Sequence, residues 1–324
     1  MKAIVCKEYG LPSTLVLEDL PSPEPKKGEV LVTVKACSVN FPDTLIIQGL
    51  YQFKPPMPFT PGSDIAGIVK AVGEGVKNHK VGDEVFGLVS HGGFAEEVIV
   101  PANSCFPKPP TLDYDVAASF MMAYGTSYYA LKNRAKLKPG ETLLVLGASG
   151  GVGLAAVELG KLMGAKVIAA ASTADKLALC KEYGADEVIN YREEDLKKRV
   201  KELTGGKGAD VVYDPVGGDF SEAALRATAW EGRFLVIGFA AGDIPKIPLN
   251  LVLLKGCDIV GVFWGSFAMR DPKGNFQNTI ELIQNFQKGK LKPYIHGRYP
   301  LADAPKALEE MMERKVKGKV IITM

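Results

Sequence analysis

An α/β fold in two parts, a mostly β domain followed by a doubly wound parallel sheet, follows from three features of the sequence. From about Ala123 to Val262, short apolar runs alternate with helical stretches. Within that region Glu141–Lys161, ETLLVLGASGGVGLAAVELGK, reads as strand, glycine-rich turn and small-residue helix. From Met1 to about Met122, strand-like runs crowd between glycine and proline without long helical periodicity. A chain of 324 residues has room for two cores.

In chain order, Lys2–Cys6, Val30–Ala36 (alternating, within LVTVKA), Ile65–Val72 and Val81–Val89 are strands of the first domain, each bounded by Gly, Pro or Asp. Thr142–Leu146, Lys166–Ala171, Glu187–Asn190, Val211–Asp214, Arg233–Gly238 and Ile259–Val262 are the strands of the sheet, with a helix at Leu154–Lys161 after the first. The remainder carries helices near Phe276–Lys288 and Ala304–Lys315 and a strand at Gly318–Ile322. It is too short to stand alone, so residues 265–324 are expected to complete domain 1–122, leaving 123–264 as the second domain.

Ala148, Gly150 and Gly153 match the dinucleotide fingerprint GxGxxG with alanine in its first slot. The first position makes the turn, Gly150 lets backbone approach a pyrophosphate, and Gly153 lets helix pack on strand. Ser149, Gly151 and Val152 then lie where backbone N–H groups and the positive end of a helix meet phosphate. A glycine turn alone also serves packing, but the preceding strand, the helix and the return at Lys166–Ala171 point to a nucleotide.

The formal charge of +2, with no long run of one sign, gives no support to nucleic-acid or membrane-surface binding. Cys6, Cys37, Cys105, Cys180 and Cys257 are scattered, odd in number and never CxxC, which reads as free thiols in a reducing compartment. No apolar run reaches the ~18 residues of a membrane span. Strand-like sequence from Lys2 leaves no space for a cleaved signal, so the cytoplasm is expected.

GVKNHKVGDEVFG, ASGGVG and the ending KVKGKVIIT resemble the medium-chain dehydrogenase/reductase superfamily, specifically its zinc-free quinone oxidoreductase branch, across the whole chain. PFTPGSDIAG, AWEGRFLVIGFAAG and VGVFWG are similar to the quinone-oxidoreductase-like proteins of that branch. The resemblance implies a GroES-like catalytic domain and a Rossmann domain. Zinc members of the superfamily hold their metal where this chain has Asn40 in SVNFPD and Gly62, Ser63 and Asp64 in PGSD, and an amide and a hydroxyl are poor zinc ligands. The four-cysteine structural lobe is replaced by Leu88–Gly93, and His79, His91 and His296 are dispersed, so no metal is expected. Hydride delivery to an electron-poor acceptor needs none.

No carboxylate ends the second sheet strand, where NAD-selective folds place one ~20 residues past the glycines. Ser172, Lys176 and Tyr191 match the family's holders of the 2′-phosphate, which implies NADP(H); Lys176 as a solvated helix residue and Tyr191 as loop packing is the plainer alternative. At the nicotinamide end the resemblance implies Thr126, and Gly238, Phe239, Val262, Phe263 and Trp264 follow the fifth and sixth strands, where the aromatics also fit interface core.

Asn40, Asp43 and Tyr51 are the candidates at the reacting centre. Asn40 suits a hydrogen bond to a substrate carbonyl or the cofactor ribose, while Asp43 fits either the site or an ionised loop tie. QGLY resembles the QGxY of the superfamily's enoyl thioester reductases, whose tyrosine protonates the carbon beside the hydride acceptor; lining an apolar mouth with Phe53 is the alternative. The expected activity is NADPH-dependent reduction of quinones or α,β-unsaturated carbonyl compounds. The rivals are an enoyl thioester reductase and a non-catalytic NADPH-binding protein. The resemblance also implies a homodimer paired through the sixth sheet strand, Asp258–Trp264.

Overall fold

The computed structural model describes residues 1–324 as two compact units, Met1–Met122 with Pro293–Met324, and Ala123–Lys292. The elements run β1 (Lys2–Val5), β2 (Val16–Asp19), β3 (Glu29–Val39), α1 (Phe41–Ile46), β4 (Asp64–Val72), β5 (Glu84–Leu88), β6 (Glu97–Pro101), β7 (Cys105–Pro107) and α2 (Tyr114–Ala118). Next come α3 (Met121–Tyr128), β8 (Thr142–Leu146), α4 (Gly151–Leu162), β9 (Lys166–Ala171), α5 (Ala174–Glu182), β10 (Glu187–Asn190), α6 (Leu196–Leu203), β11 (Ala209–Asp214), α7 (Asp219–Ala227) and β12 (Thr228–Val236). The chain closes with α8 (Leu249–Lys255), β13 (Asp258–Gly261), α9 (Trp264–Arg270), α10 (Pro272–Gln287), β14 (Ile295–Pro300), α11 (Ala304–Met312) and β15 (Lys319–Thr323).

The first unit is built on a seven-stranded sheet ordered β14-β15-β3-β4-β5-β7, with β6 also paired to β3. Strand β15 lies inside this sheet, parallel to β14 and antiparallel to β3, and every residue from Lys319 to Ile322 is buried. Ala304, Ala307 and Leu308 fall on one face of α11 and join the core of Val32, Val39, Ile65 and Ile322.

The second unit holds a six-stranded parallel sheet ordered β10-β9-β8-β11-β12-β13. Its central strands are buried on both faces because helices cover both, which is why β8 and β9 read as apolar runs after their first residue and β11 as a short one, Val211–Tyr213. The strand order reverses between β8 and β11, and ligands of such sheets bind at that point, beyond the strands' carboxyl ends.

Most strand ends shift by a few residues from expectation, and two boundary differences bear on the site and the units. Helix α4 starts at Gly151, three residues before Leu154, because the glycine turn passes straight into it. The return to the first unit comes at Pro293 rather than Gly265, because α9 and α10 belong to the second. Glu281 on α10 accepts hydrogen bonds from Tyr128 and Lys132, Asn278 donates to Asn133, and Tyr129 stacks on Phe267 with ring centroids 4.2 Å apart. Asp271 caps α10 by accepting the Gly274 N–H at 2.9 Å, with Pro272 at the first helical position. No helix is long and apolar enough to cross a membrane. The five cysteines are buried and unpaired.

Candidate active site

In the second unit the fingerprint turn leaves β8 at the switch point. The glycines at 150 and 153 are needed for different reasons. A Cβ on Gly153 would stand 2.3 Å from the Gly147 carbonyl oxygen, so the close fit of α4 on the turn requires glycine. A Cβ on Gly150 would meet only that oxygen, at 3.4 Å, and its extended backbone suits any residue. The space above Gly150 is therefore open, as close approach by a pyrophosphate needs. No side chain caps α4, so the N–H groups of its first turn, Gly151 and Val152 among them, have no intrahelical or capping partner. These residues fit a dinucleotide phosphate.

The other second-unit candidates gather at the same end of the sheet. Ser172 follows β9 and Tyr191 follows β10, one register step beyond the Asn190–Ala171 pair. Lys176 is in the first turn of α5, and the Tyr191 ring packs on Phe220 at 4.4 Å. Thr126 sits beside Ser127, whose hydroxyl donates to the Val152 carbonyl at 2.9 Å, so α3 is tied to the start of α4 next to that threonine. Gly238 and Phe239 follow β12, and the Val262 N–H donates to Val236 at 3.0 Å. Phe263 is exposed.

Trp264 is different: it is buried against Gly125, and its indole N–H donates to Asn275 at 2.9 Å. Its ring is core packing within the second unit. Asp214, not singled out in the sequence, accepts from the Val216 and Gly217 N–H groups and from the Ser221 hydroxyl, shaping the turn after β11 beside Gly147. Asp-Pro followed by Gly-Gly was its available signal.

In the first unit, α1 brings Asn40 and Asp43 together as a capping box. Asp43 accepts the Asn40 N–H at 2.7 Å and the Gly62 N–H at 3.3 Å. The Asn40 amide donates at 3.2 Å to both the carbonyl and the hydroxyl of Ser38, and its oxygen accepts from the Lys319 ammonium at 2.5 Å. Every polar atom of the Asn40 side chain is thus committed inside the protein, contrary to the expectation of a substrate contact, and Asp43 ties the loop. Nor do these residues fit zinc, since an ammonium faces the very oxygen that would have to coordinate it. Tyr51 packs partly buried against the core, with no hydrogen-bond partner for its hydroxyl within the protein. Burial, and then the charge of Asp43, raise its pKa, so it keeps its proton.

Asp64 accepts from Ser38 and the Met122 N–H through one carboxyl oxygen, while the other, fully buried, has no partner. Burial pushes Asp43 up to about 7 and Asp64 up to about 6. Both titrate above the ordinary ~4, so the folded state holds more protons than the unfolded one. The stability this gives is complete below about pH 4 and is lost as pH rises through these values. Asp64→Asn is expected to lose about 1–3 kcal/mol less than the parent between about pH 5 and 8, read from urea midpoints. Parallel losses in the two proteins would show that Asp64 is not the titrating group.

Residues 26–110 match the family described as alcohol dehydrogenase GroES-like domain, and residues 151–285 that described as zinc-binding dehydrogenase. A quinone oxidoreductase-like protein 2 homolog of Nematostella vectensis is 42% identical over 99% of this chain and 88% of its own length. The quinone oxidoreductase of Escherichia coli, solved in complex with NADPH, is 32% identical, with full coverage of both chains and a TM-score of 0.93. The CurK enoyl reductase is 28% identical over 100% of this chain and 99% of its own, with a TM-score of 0.91.

Proposed function

Because the chain belongs to the medium-chain dehydrogenase/reductase superfamily, in its zinc-free quinone oxidoreductase branch, we propose that it is an NADPH-dependent reductase of quinones or α,β-unsaturated carbonyl compounds. The observation that carries the reading is the uncapped start of α4 beneath the open space over Gly150.

In this reading, backbone N–H groups at Ser149, Gly151 and Val152 hold the pyrophosphate, with Gly150 giving it room. Ser172, Lys176 and Tyr191 hold the 2′-phosphate, where a point-charge lysine and two hydroxyls suit a dianion. Thr126, Gly238, Phe239, Val262 and Phe263 line the nicotinamide end. When bound, the coenzyme supplies a hydride, two electrons and one proton, to the acceptor. For an enone, the Tyr51 O–H then gives its proton to the α-carbon and recovers one from water. For a quinone, the oxygen anion takes its proton from water. Asn40 and Asp43 position the segment that carries Tyr51 rather than touch substrate.

The test is turnover with NADPH and NADH against a quinone, an enal and a crotonyl thioester. Reduction of quinone or enal with preference for NADPH is expected. Tight NADPH binding without turnover of any electrophile would point to a binding protein instead. The second reading, an enoyl thioester reductase, draws on the likeness to the CurK enoyl reductase and on the unpartnered Tyr51 hydroxyl, and predicts that the thioester is the fastest of the three.

A homodimer is also proposed. Strand β13 ends the sheet with an unpaired edge, exposes Ile259, and follows α8, whose Leu249, Leu253 and Leu254 are exposed. Sedimentation at micromolar concentration is expected to give the mass of two chains; a single chain would remove the proposal.

A further inference from the structure

The proposed chemistry gives no role to the buried ammonium of Lys319. Lys319 opens β15 with 4% of its surface exposed, and a lysine buried this far persists only where partners offset its lost hydration. The antiparallel register pairs Val320 with Val39, which sets Lys319 opposite Asn40. Its ammonium donates to the Asn40 amide oxygen at 2.5 Å and stands 4.0 Å from Asp64. Asn40 opens α1, its N–H is held by Asp43, and Asp43 also holds Gly62. Tyr51 lies a short loop beyond α1 and packs on the same core.

We propose that Lys319 is a positioning residue of the reducing site, its buried ammonium holding Asn40 at the start of α1 and so fixing the segment that presents Tyr51. The inference rests on the reduction proposed above. The titratable groups facing the ammonium are Asp64 on β4, Asp43 on α1 and Cys37 on β3, and its charge favours the ionised form of each.

Lys319→Met tests this, together with Lys319→Met/Asp64→Asn, which also removes a carboxylate and keeps the test usable if the single variant fails to fold. In the folded variant, kcat for an enal is expected to fall on the order of a hundredfold, the cost of misplacing a reacting group by about 1 Å. Turnover of a quinone, which needs no proton from Tyr51, and the Kd for NADPH, held by the other unit, should stay nearly level. Amide hydrogen exchange over Asn40–Ile47 should quicken. Unchanged enal turnover, equal losses on enal and quinone, or unaltered exchange over that segment would each overturn the proposal. If the parent protein reduces no electrophile, the reductase reading fails and the exchange measurement alone decides whether Lys319 holds α1.

Discussion

Tyr51→Phe is expected to lower kcat for an α,β-unsaturated aldehyde by about 10²–10⁴-fold, the range a positioned general acid contributes, while quinone turnover stays nearly level. The difference lies in where the second bond forms. Saturating an enone requires a proton on carbon, and the Tyr51 hydroxyl is unpartnered within the protein and keeps its proton through the neutral range. A reduced quinone needs protons only on oxygen, which water supplies. Phenylalanine keeps the ring that packs against the core, so folding is not at stake. Enal and quinone rates falling in parallel would reduce Tyr51 to a wall of the pocket.

Gly150→Ala is expected to weaken NADPH binding on the order of a hundredfold, as loss of two charge-assisted hydrogen bonds would. Stability should hold or rise slightly. The backbone at Gly150, φ −77° and ψ 173°, is open to alanine, and the new Cβ meets no protein atom closer than 3.4 Å. Gly→Ala at such a site commonly adds about 0.4–1 kcal/mol by restricting the unfolded chain. Gly153→Ala makes the control, because its Cβ would lie 2.3 Å from the Gly147 oxygen and strike the fold itself. A Gly150→Ala protein that binds NADPH as tightly as the parent would mean that no phosphate approaches this turn.

Much of this architecture can be read from residues alone because burial on both faces leaves a plain mark. Thr142–Leu146 and Lys166–Ala171 come out to the residue, apolar runs closed by Gly147 and Ser172, as does the short edge strand Glu187–Asn190. Strand β12 starts at Thr228, five residues before Arg233, since exposed Trp230 and Glu231 break its pattern. The placement of α10 depends on hydrogen bonds that Glu281 accepts from Tyr128 and Lys132 and that Asn278 makes with Lys132 and Asn133, and periodicity carries no trace of those. The same holds for the first-unit candidates. Asn40 and Asp43 were recognisable as a group, but their partner Lys319 lies 279 residues from Asn40 and meets it only through the β15–β3 register. A lysine opening KVIIT, directly before the apolar Val320–Ile322, was the one local hint.

The most direct measurement is a calorimetric titration of the purified chain with NADPH and, in parallel, with NADH. A phosphate seated on the amides of α4, with Ser172, Lys176 and Tyr191 about the 2′-position, predicts saturable one-to-one binding that is tighter for NADPH. Absence of saturable binding for both coenzymes would contradict it.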